Sequence, residues 1–312
     1  MKIHVVVNAR AGTVLDCESE SLQQEIVNAF TAAGHDVTVH MITPDELKET
    51  IAKALAQGCD AVVVGGGDGT VLAAAESLIG TGIPLGILPL GTMNRLARDL
   101  KIPLTVPQAA TALAAGETAT IDVGDVNGRI FLNNSIFGVT TLYSENRQSL
   151  RGKPTMQRMR GYARAVKDIL QSRRRMEVDV DDGHQPIRLR ILSMAVSNNR
   201  YANRPSLTLA KDGLHHGVLA VYISKHPSGW GMARAVVRAM LGRLKSDPDV
   251  VHLEGRRIDV LTRRSTLRLA NDGELETVEL PLRYTIRPGA LKVMVPATEK
   301  RIDAEPAATV AD

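Results

Sequence analysis

Residues 61–75 read Ala-Val-Val-Val-Gly-Gly-Gly-Asp-Gly-Thr-Val-Leu-Ala-Ala-Ala. The first four residues predict a buried strand, Ala61–Val64. Gly65–Thr70 breaks it, and from Val71 the chain is apolar and alanine-rich, which is helical character. Strand, glycine turn and helix start together point backbone N–H groups at an anion. Consecutive glycines allow positive φ and a close approach of backbone to ligand. Asp68 alone would repel phosphate, so its place in the turn implies a cation, and Mg²⁺ held directly or through water fits. The stretch therefore predicts a nucleotide phosphate site with a metal. A plain glycine turn in an α/β domain is the simpler alternative. Thr70 is expected to cap the helix that follows.

The flanking segments favour the site. Lys2–Val7 is a β-branched strand ending in Asn8-Ala9-Arg10-Ala11-Gly12-Thr13. The first residues, MKIHVVVNARAG, have too short an apolar core for a signal peptide and read as that strand. Ser19–Ala33 has helical spacing of Leu22, Ile26 and Phe30 and stops at Gly34. Asp36–Met41 is a second strand. Thr43 and Pro44 mark a helix start, with Leu47–Gln57 as the helix and Gly58 as its end. Ile83–Leu88 is a further strand, ending in Pro89-Leu90-Gly91-Thr92-Met93-Asn94-Arg95, and a short helix runs to Leu100. Alternating strands and helices predict a mostly parallel sheet with ligands at the strand C-termini. Three candidate ligand loops follow such strands: Asn8–Gly12, Gly65–Thr70 and Gly91–Asn94.

From Asp122 the pattern changes to short alternating segments, among them Asp125–Phe131, Met176–Asp181, Ile187–Ser197, Gly217–Ile223, Arg257–Leu261 and 291–295. These predict a mostly antiparallel β domain over 122–295, after an α/β domain over 1–121 that segment 296–312 could complete. The tail after Thr298 is polar and reads as disordered. Two helices interrupt the second domain. One, Thr155–Arg175, has an apolar stripe of Met156, Met159, Ala163, Val166 and Leu170, with Arg160, Arg164 and Lys167 on one face. The other, Gly229–Lys245, carries Trp230, Val237, Met240, Leu241 and Leu244 with Arg234, Arg238, Arg243 and Lys245. Basic amphipathic helices with an interfacial tryptophan read as membrane-surface elements, with a solvated face over a core as the alternative.

The composition excludes some classes. Aromatic residues are 3% of the 312, too few for nucleic-acid stacking platforms. The net charge of +4 suits anionic partners. Cys17 and Cys59 form no metal motif and read as free thiols in a reducing cytoplasm, with a single disulfide as the alternative. No apolar run approaches the roughly 18 residues of a spanning helix. His215 and His216 are adjacent, so on a strand they point apart and read as surface residues.

Gly-Gly-Gly-Asp-Gly-Thr at 65–70, Gly91-Thr92-Met93-Asn94 and Asn271-Asp272-Gly273-Glu274 together resemble the diacylglycerol kinase catalytic-domain family, over nearly the whole chain. That family includes bacterial soluble lipid kinases and the sphingosine and ceramide kinases. The resemblance implies an α/β fold, with an N-terminal parallel-sheet nucleotide-binding domain of the NAD kinase/diacylglycerol kinase kind and a C-terminal, mostly antiparallel β domain that takes the lipid. It implies ATP and Mg²⁺ as cofactors. Asn8, Ala9, Arg10, Ala11 and Gly12, with Gly65, Gly66, Gly67, Asp68, Gly69, Thr70 and Val71, would line the ATP phosphates. Thr43, Thr92 and Asn94 would add nucleotide contacts. Asp68 would sit at the catalytic Mg²⁺, and Glu274 would be the general base. Asp212, with the carbonyls of Leu209 and Leu214, would match a structural Mg²⁺ site of some bacterial members.

The sequence departs from the family pattern at three places. Ala9 stands for a proline, and Met93 and Arg95 fill the third and fifth positions of the third loop, where the fifth is usually an acid. Arg95 could instead contact a phosphate, and Asp122 could supply a carboxylate. Taken alone, Asn271–Glu274 also matches a hairpin turn, as Asp212-Gly213 does. The resulting expectation is an ATP- and Mg²⁺-dependent lipid kinase, cytoplasmic and peripherally bound to an anionic membrane, with no nucleic-acid partner and with a homodimer compatible. An NAD kinase-like enzyme and a non-catalytic nucleotide- or lipid-binding regulator are the rivals. The first would carry an Asn-Glu pair where this chain has Asn133-Asn134.

Overall fold

The structure is a computed structural model that describes residues 1–11, 19–139, 141, 155–173, 175–183, 186–203, 205, 209–243 and 247–297. Expectations for Gly12, Cys17, Leu244 and the tail after Thr298 lie outside these residues. The chain divides into two units, 1–122 with 288–312, and 123–287. The sequence reading placed the return to the first unit at 296. It falls at Pro288, because the last strand is longer than the 291–295 expected.

In the first unit β1 (Lys2–Asn8), β2 (Asp36–Ile42), β3 (Ala61–Gly66), β4 (Leu85–Pro89) and the end of β16 (Leu282–Val295) form a sheet in the order β2-β1-β3-β4-β16. These neighbours are parallel. β3 and β4 are buried throughout, as strands covered on both faces must be. Helix α1 (Ser19–Ala32) buries Leu22, Ile26 and Phe30, and α2 (Leu47–Ala56) buries Leu47, Ile51 and Ala54. A 3-10 turn, Pro44–Glu46, precedes α2 with Thr43 at its N-cap. Helix α3 (Asp68–Leu78) follows β3, and α4 (Arg95–Asp99) follows β4. Helix α5 (Val106–Ala114) was not anticipated. It buries Ala109, Ala110, Ala112 and Leu113 and packs on α1. Its exposed face is only Pro107, Gln108 and Thr111, a weak polar signal beside so many alanines.

The second unit is antiparallel. One sheet runs β12 (Val250–Gly255), β11 (Leu219–Ser224), β10 (Ser193–Asn198), β7 (Asn134–Gly138), β14 (Thr266–Asn271), β15 (Glu274–Glu279). The other joins the start of β16 to β13 (Arg257–Leu261), β8 (Met176–Asp181) and β9 (Ile187–Ile191). Phe131, Phe137, Val196, Val221, Leu269 and Tyr284 lie in the core of this unit. Two expected strands prove to be pairs of strands. Ile187–Ser197 breaks at Leu192, whose N–H bonds to Ser224 O, and its halves join different sheets. Asp125–Phe131 is a hairpin between β5 (Glu117–Val126) and β6 (Arg129–Phe131), turning at Asn127 and Gly128 with φ of 50° and 84°.

Helices α6 (Thr155–Gln171) and α7 (Gly229–Met240) pack together. A Cβ at Gly229 would stand 1.7 Å from Ile169 O, so only glycine permits this contact. Of the apolar stripe expected on α6, the Met156 and Met159 side chains lie outside the described residues and Leu170 is half-buried. Val166 is 46% exposed and Ala163 is exposed, while Ile169 packs with Val139, Leu192 and Met232. On α7 the inward residues are Met232, Ala235 and Ala239. Trp230, Val237 and Leu241 face outward at 66%, 56% and 52% exposure.

Candidate active site

The first unit assembles a cradle from three strand ends. Strand β3 continues through Gly65 and Gly66 before the turn, and Gly67 is the N-cap of α3 in an extended conformation (φ −90°, ψ −177°). The first intrahelical bond runs from Val71 N–H to Gly67 O. The N–H groups of Asp68, Gly69 and Thr70 therefore have no acceptor within the helix. With the positive end of the helix dipole they suit a phosphate.

Of the two uses the sequence suggested for the glycines, positive φ is not the one seen. Gly65, Gly66, Gly67 and Gly69 are not among the positive-φ residues. What they provide is room. A Cβ on Gly66 would lie 2.5 Å from Thr70 Cβ, and one on Gly91 would lie 2.5 Å from the Gly67 Cα. The second and third loops thus cross backbone on backbone, and Leu90 N–H bonds to Gly66 O beside the crossing.

Side chains lock the crossing. Asp68 Oδ1 accepts the Arg95 backbone N–H at 2.8 Å, tying the start of α3 to the start of α4. Because this contact uses the backbone, any residue but proline at 95 could make it. Asn94 sits at φ 47° and closes the third loop on itself: its Oδ1 accepts Gly91 N–H and its Nδ2 donates to Gly91 O. Asn8 Nδ2 donates to Thr70 Oγ1 at 3.3 Å, which links the first and second loops. Thr70 is thus the third residue of α3 and an acceptor for Asn8. The helix cap is Gly67.

The other expected nucleotide residues fall around this cradle. Ala9 and Ala11 are held by backbone bonds to Ile42 O and Asn8 O, and Arg10 is exposed. Val71 is buried beneath the turn and Thr92 is exposed. Thr43 gives its N–H and its hydroxyl to Glu46, and these bonds hold the Glu46 carboxyl below its ordinary range. Asp122 is buried and its Oδ1 accepts Gly289 N–H, a bond that ties β5 to β16.

In the second unit, β14 and β15 turn through Asp272 and Gly273 at φ of 47° and 89°. That pair of left-handed residues is the geometry of a tight two-residue hairpin. The turn is tied to the sheet. Asp272 is half-buried and accepts the N–H groups of Leu132, Asn133 and Asn134 at 2.7, 2.8 and 3.0 Å. Burial pushes its carboxyl above the ordinary range, against those three bonds and the charge of Lys211, which pull it down. Lys211 is itself buried, donates to Asn133 O and Ser197 Oγ, and lies over the Tyr201 ring. Glu274 is half-buried and pairs directly across from Asn271, so the two side chains share one face of the ladder. Asn271 is 1% exposed, and neither of its amide atoms has a hydrogen-bond partner. Such a group costs stability unless a ligand satisfies it. Its sequence signal was hidden, because Asn before Asp-Gly is ordinary turn composition.

The two metal expectations differ in fit. At Asp68 one carboxylate oxygen is engaged by Arg95 N–H and the residue is half-exposed. One carboxylate with nucleotide phosphates and water is an ordinary Mg²⁺ environment, so the residue fits. Asp212 is exposed, its N–H bonds to Arg200 O, and its charge acts on the Arg200 guanidinium. Among the described residues it belongs to no group of three metal-ligating side chains. A lone exposed acid beside an arginine is a poor cation site, even with Leu209 and Leu214 at hand. His215 and His216 are exposed with stacked rings. Cys59 is a buried free thiol. No helix among the described residues is long and apolar enough to cross a membrane.

The second unit also holds a cavity of about 410 Å³. Val139, Leu192 and Leu267 supply apolar wall, and Arg175, Arg264 and Arg268 supply cations.

A parallel α/β unit with a strand–glycine turn–helix cradle, followed by an antiparallel unit with an anchored Asp-Gly-Glu hairpin, describes a class of nucleotide-using enzymes. Comparison with known proteins makes the assignment. Residues 2–126 match the diacylglycerol kinase catalytic domain, and residues 138–295 match the YegS C-terminal NAD kinase beta sandwich-like domain. The chain is 32% identical over 292 residues to a probable lipid kinase YegS-like of Pseudomonas aeruginosa, covering 87% of this chain and 88% of that protein. It is 46% identical to a diacylglycerol kinase of Mycobacterium tuberculosis over 82 residues, 26% of each. The crystal structure of a putative diacylglycerol kinase from Bacillus anthracis superposes with TM-score 0.75 over 96% of both chains at 20% identity, a likeness of fold. The chain belongs to the diacylglycerol kinase catalytic-domain family and carries the YegS-type C-terminal domain.

Proposed function

We propose that this chain, a phosphotransferase acting on an alcohol group by its family, moves the γ-phosphoryl group of ATP to a hydroxyl of a lipid taken from an anionic membrane. Phosphoryl transfer is mostly positioning and charge neutralisation. The N–H groups at the start of α3 and the crossed Gly67 and Gly91 loops receive the phosphates. Mg²⁺ at Asp68 would neutralise phosphate charge. Glu274 accepts the hydroxyl proton as the lipid oxygen bonds to phosphorus and the bond to the ADP oxygen breaks. Asn271, sharing Glu274's face, is placed to hold the acceptor by hydrogen bonds that the protein does not otherwise satisfy.

The observation that carries the lipid reading is the outward face of α7. Trp230, Val237 and Leu241 are exposed there, with Arg234 and Arg243 exposed and Arg238 at the side. Apolar residues ringed by cations suit an anionic bilayer surface. The cavity with Arg175, Arg264 and Arg268 suits a headgroup beside acyl chain. The test is transfer of labelled γ-phosphate from ATP to a lipid panel in mixed micelles with Mg²⁺, with NAD⁺ in parallel. A labelled lipid that disappears in Glu274→Gln supports the reading. Transfer to NAD⁺ alone, or ATP binding without turnover on any lipid, overturns it.

A further inference from the structure

The exit of β11 and the entry of β12 hold a cluster that phosphoryl transfer does not use. His226 follows β11 by two residues, and Asp247 and Asp249 precede β12, with α7 between them in sequence. His226 is 0% exposed and Asp247 3%, while Asp249 is half-buried. One ligand atom from each lies within 4.8 Å of the other two. His226 Nε2 stands 3.3 Å from an Asp247 oxygen yet has no hydrogen-bond partner.

We infer that His226, Asp247 and Asp249 form a site for a divalent transition-metal ion, Zn²⁺ by chemistry, separate from the nucleotide's metal. Two observations converge, and the surrounding bonds add a third. Two ligands bound at about 2.0–2.1 Å to a tetrahedral ion lie ~3.3–3.4 Å apart. The His226–Asp247 separation matches that edge, whereas a direct N–H···O bond is usually about 2.9–3.0 Å. A fully buried imidazole nitrogen without a partner is costly, and an ion supplies the partner.

The surrounding bonds also orient the ligands. His226 Nδ1 lies 2.9 Å from Ser224 Oγ. Donation from Nδ1–H to that hydroxyl leaves the Nε2 lone pair turned to the cluster. Asp247 Oδ2 accepts from Arg238 Nη1 at 2.8 Å, and Oδ1 accepts Asp249 N–H at 3.0 Å, keeping a second lone pair. Outer bonds of this kind fix the ligands of protein metal sites. One imidazole with two carboxylates suits Zn²⁺ over Mg²⁺, and the half-buried side at Asp249 leaves room for a water as fourth ligand. The ion would pin both ends of the segment that presents α7.

The test uses the full chain, stripped with dipicolinate, dialysed into metal-free buffer and titrated with Zn²⁺ by calorimetry, with elemental analysis for stoichiometry and Co²⁺ for visible spectra. Expected are one tight Zn²⁺ per chain, a tetrahedral Co²⁺ spectrum and a raised Tm. Ser224→Ala should weaken binding roughly 10- to 100-fold, and His226→Gln should abolish it. Should His226→Gln not fold, Asp249→Asn decides, because its side chain is half-exposed and its backbone bond to Asp247 is retained. Absence of saturable Zn²⁺ binding, or equal affinity in Asp249→Asn and wild type, overturns the inference.

Discussion

The crossing of Gly67 and Gly91 can be tested by two alanines. In Gly91→Ala the new Cβ would meet the Gly67 Cα at 2.5 Å and Asn94 Oδ1 at 2.9 Å. An ordinary contact begins near 3.4 Å, so the two backbones must part by the better part of an ångström. Both loops are tied by Leu90 N–H to Gly66 O and by Asp68 to Arg95 N–H, and they cannot part without straining these bonds. Overpacking of this kind costs about 1–3 kcal/mol. Borne by the folded state, that lowers Tm by roughly 2–4 °C per kcal/mol. Borne by the nucleotide-bound geometry, it weakens ATP binding by about 5- to 150-fold, at ~1.4 kcal/mol per decade. Gly69→Ala is the counterpart. Nothing lies within 4 Å of its Cβ and its φ is not positive, so stability should hold or rise. That open space is where a phosphate would approach the α3 N–H groups, so ATP affinity should still fall. Thermal melts and ATP calorimetry on both variants separate the two effects. Unchanged Tm and affinity in Gly91→Ala would refute the tight crossing, and unchanged affinity in Gly69→Ala would remove the phosphate from this turn.

Other expectations follow from single contacts. Asp68→Asn keeps an oxygen for Arg95 N–H, so its melt should match wild type while Mg²⁺-dependent turnover falls at least tenfold; equal turnover would remove Asp68 from the reaction. Asn271→Ala deletes a buried amide without partners, so stability should hold or rise while kcat falls, and a loss of stability with normal kcat would make it structural. Burial raises the Asp272 pKa in the fold, so its contribution to stability is full below the unfolded value near 3.9 and is lost as pH rises through the folded value. Urea midpoints should therefore show wild type losing ground to Asp272→Asn from about pH 4 upward, and the opposite slope would mean that the three N–H bonds outweigh burial. Trp230→Ser with Val237→Ser should reduce sedimentation with anionic vesicles while leaving activity on dispersed short-chain lipid, and undiminished sedimentation would clear α7 of that role.

Legibility in the sequence followed the range of the interaction. Strand, turn and helix from Ala61 to Ala75 depend on neighbours in sequence, and their order was readable. The purpose of the glycines was not, since positive φ and lack of room both select glycine. The choice between them depends on Gly91, distant in sequence from Gly67. The departure at Arg95 was legible only as a side-chain change, whereas its contact to Asp68 is made by the backbone. On α6 and α7 apolar residues lie on more than one face, and only packing on the unit's core shows which face turns inward. The His226 cluster was invisible for the same reason: His226 and Asp247 meet only through the pairing of β11 with β12.

In the Asp-Gly-Glu segment the hairpin turn and the proposed site are compatible. A solvated hairpin would leave Asp272 in water and Glu274 with it, free to choose among rotamers. Here the hairpin geometry is present in full, and the turn's acid is spent on three N–H groups of 132–134. That anchorage fixes the register of Asn271 against Glu274, so the next acid along is presented from a rigid pair of strands and not from a loose tip. A carboxylate that must meet a hydroxyl proton within about 3 Å gains from such fixing. On the proposed function the two acids would divide the work: Asp272 holds the turn to the sheet, and Glu274 would act as the base. Replacing Asp272 should then lower turnover through the position of Glu274 even where the fold survives.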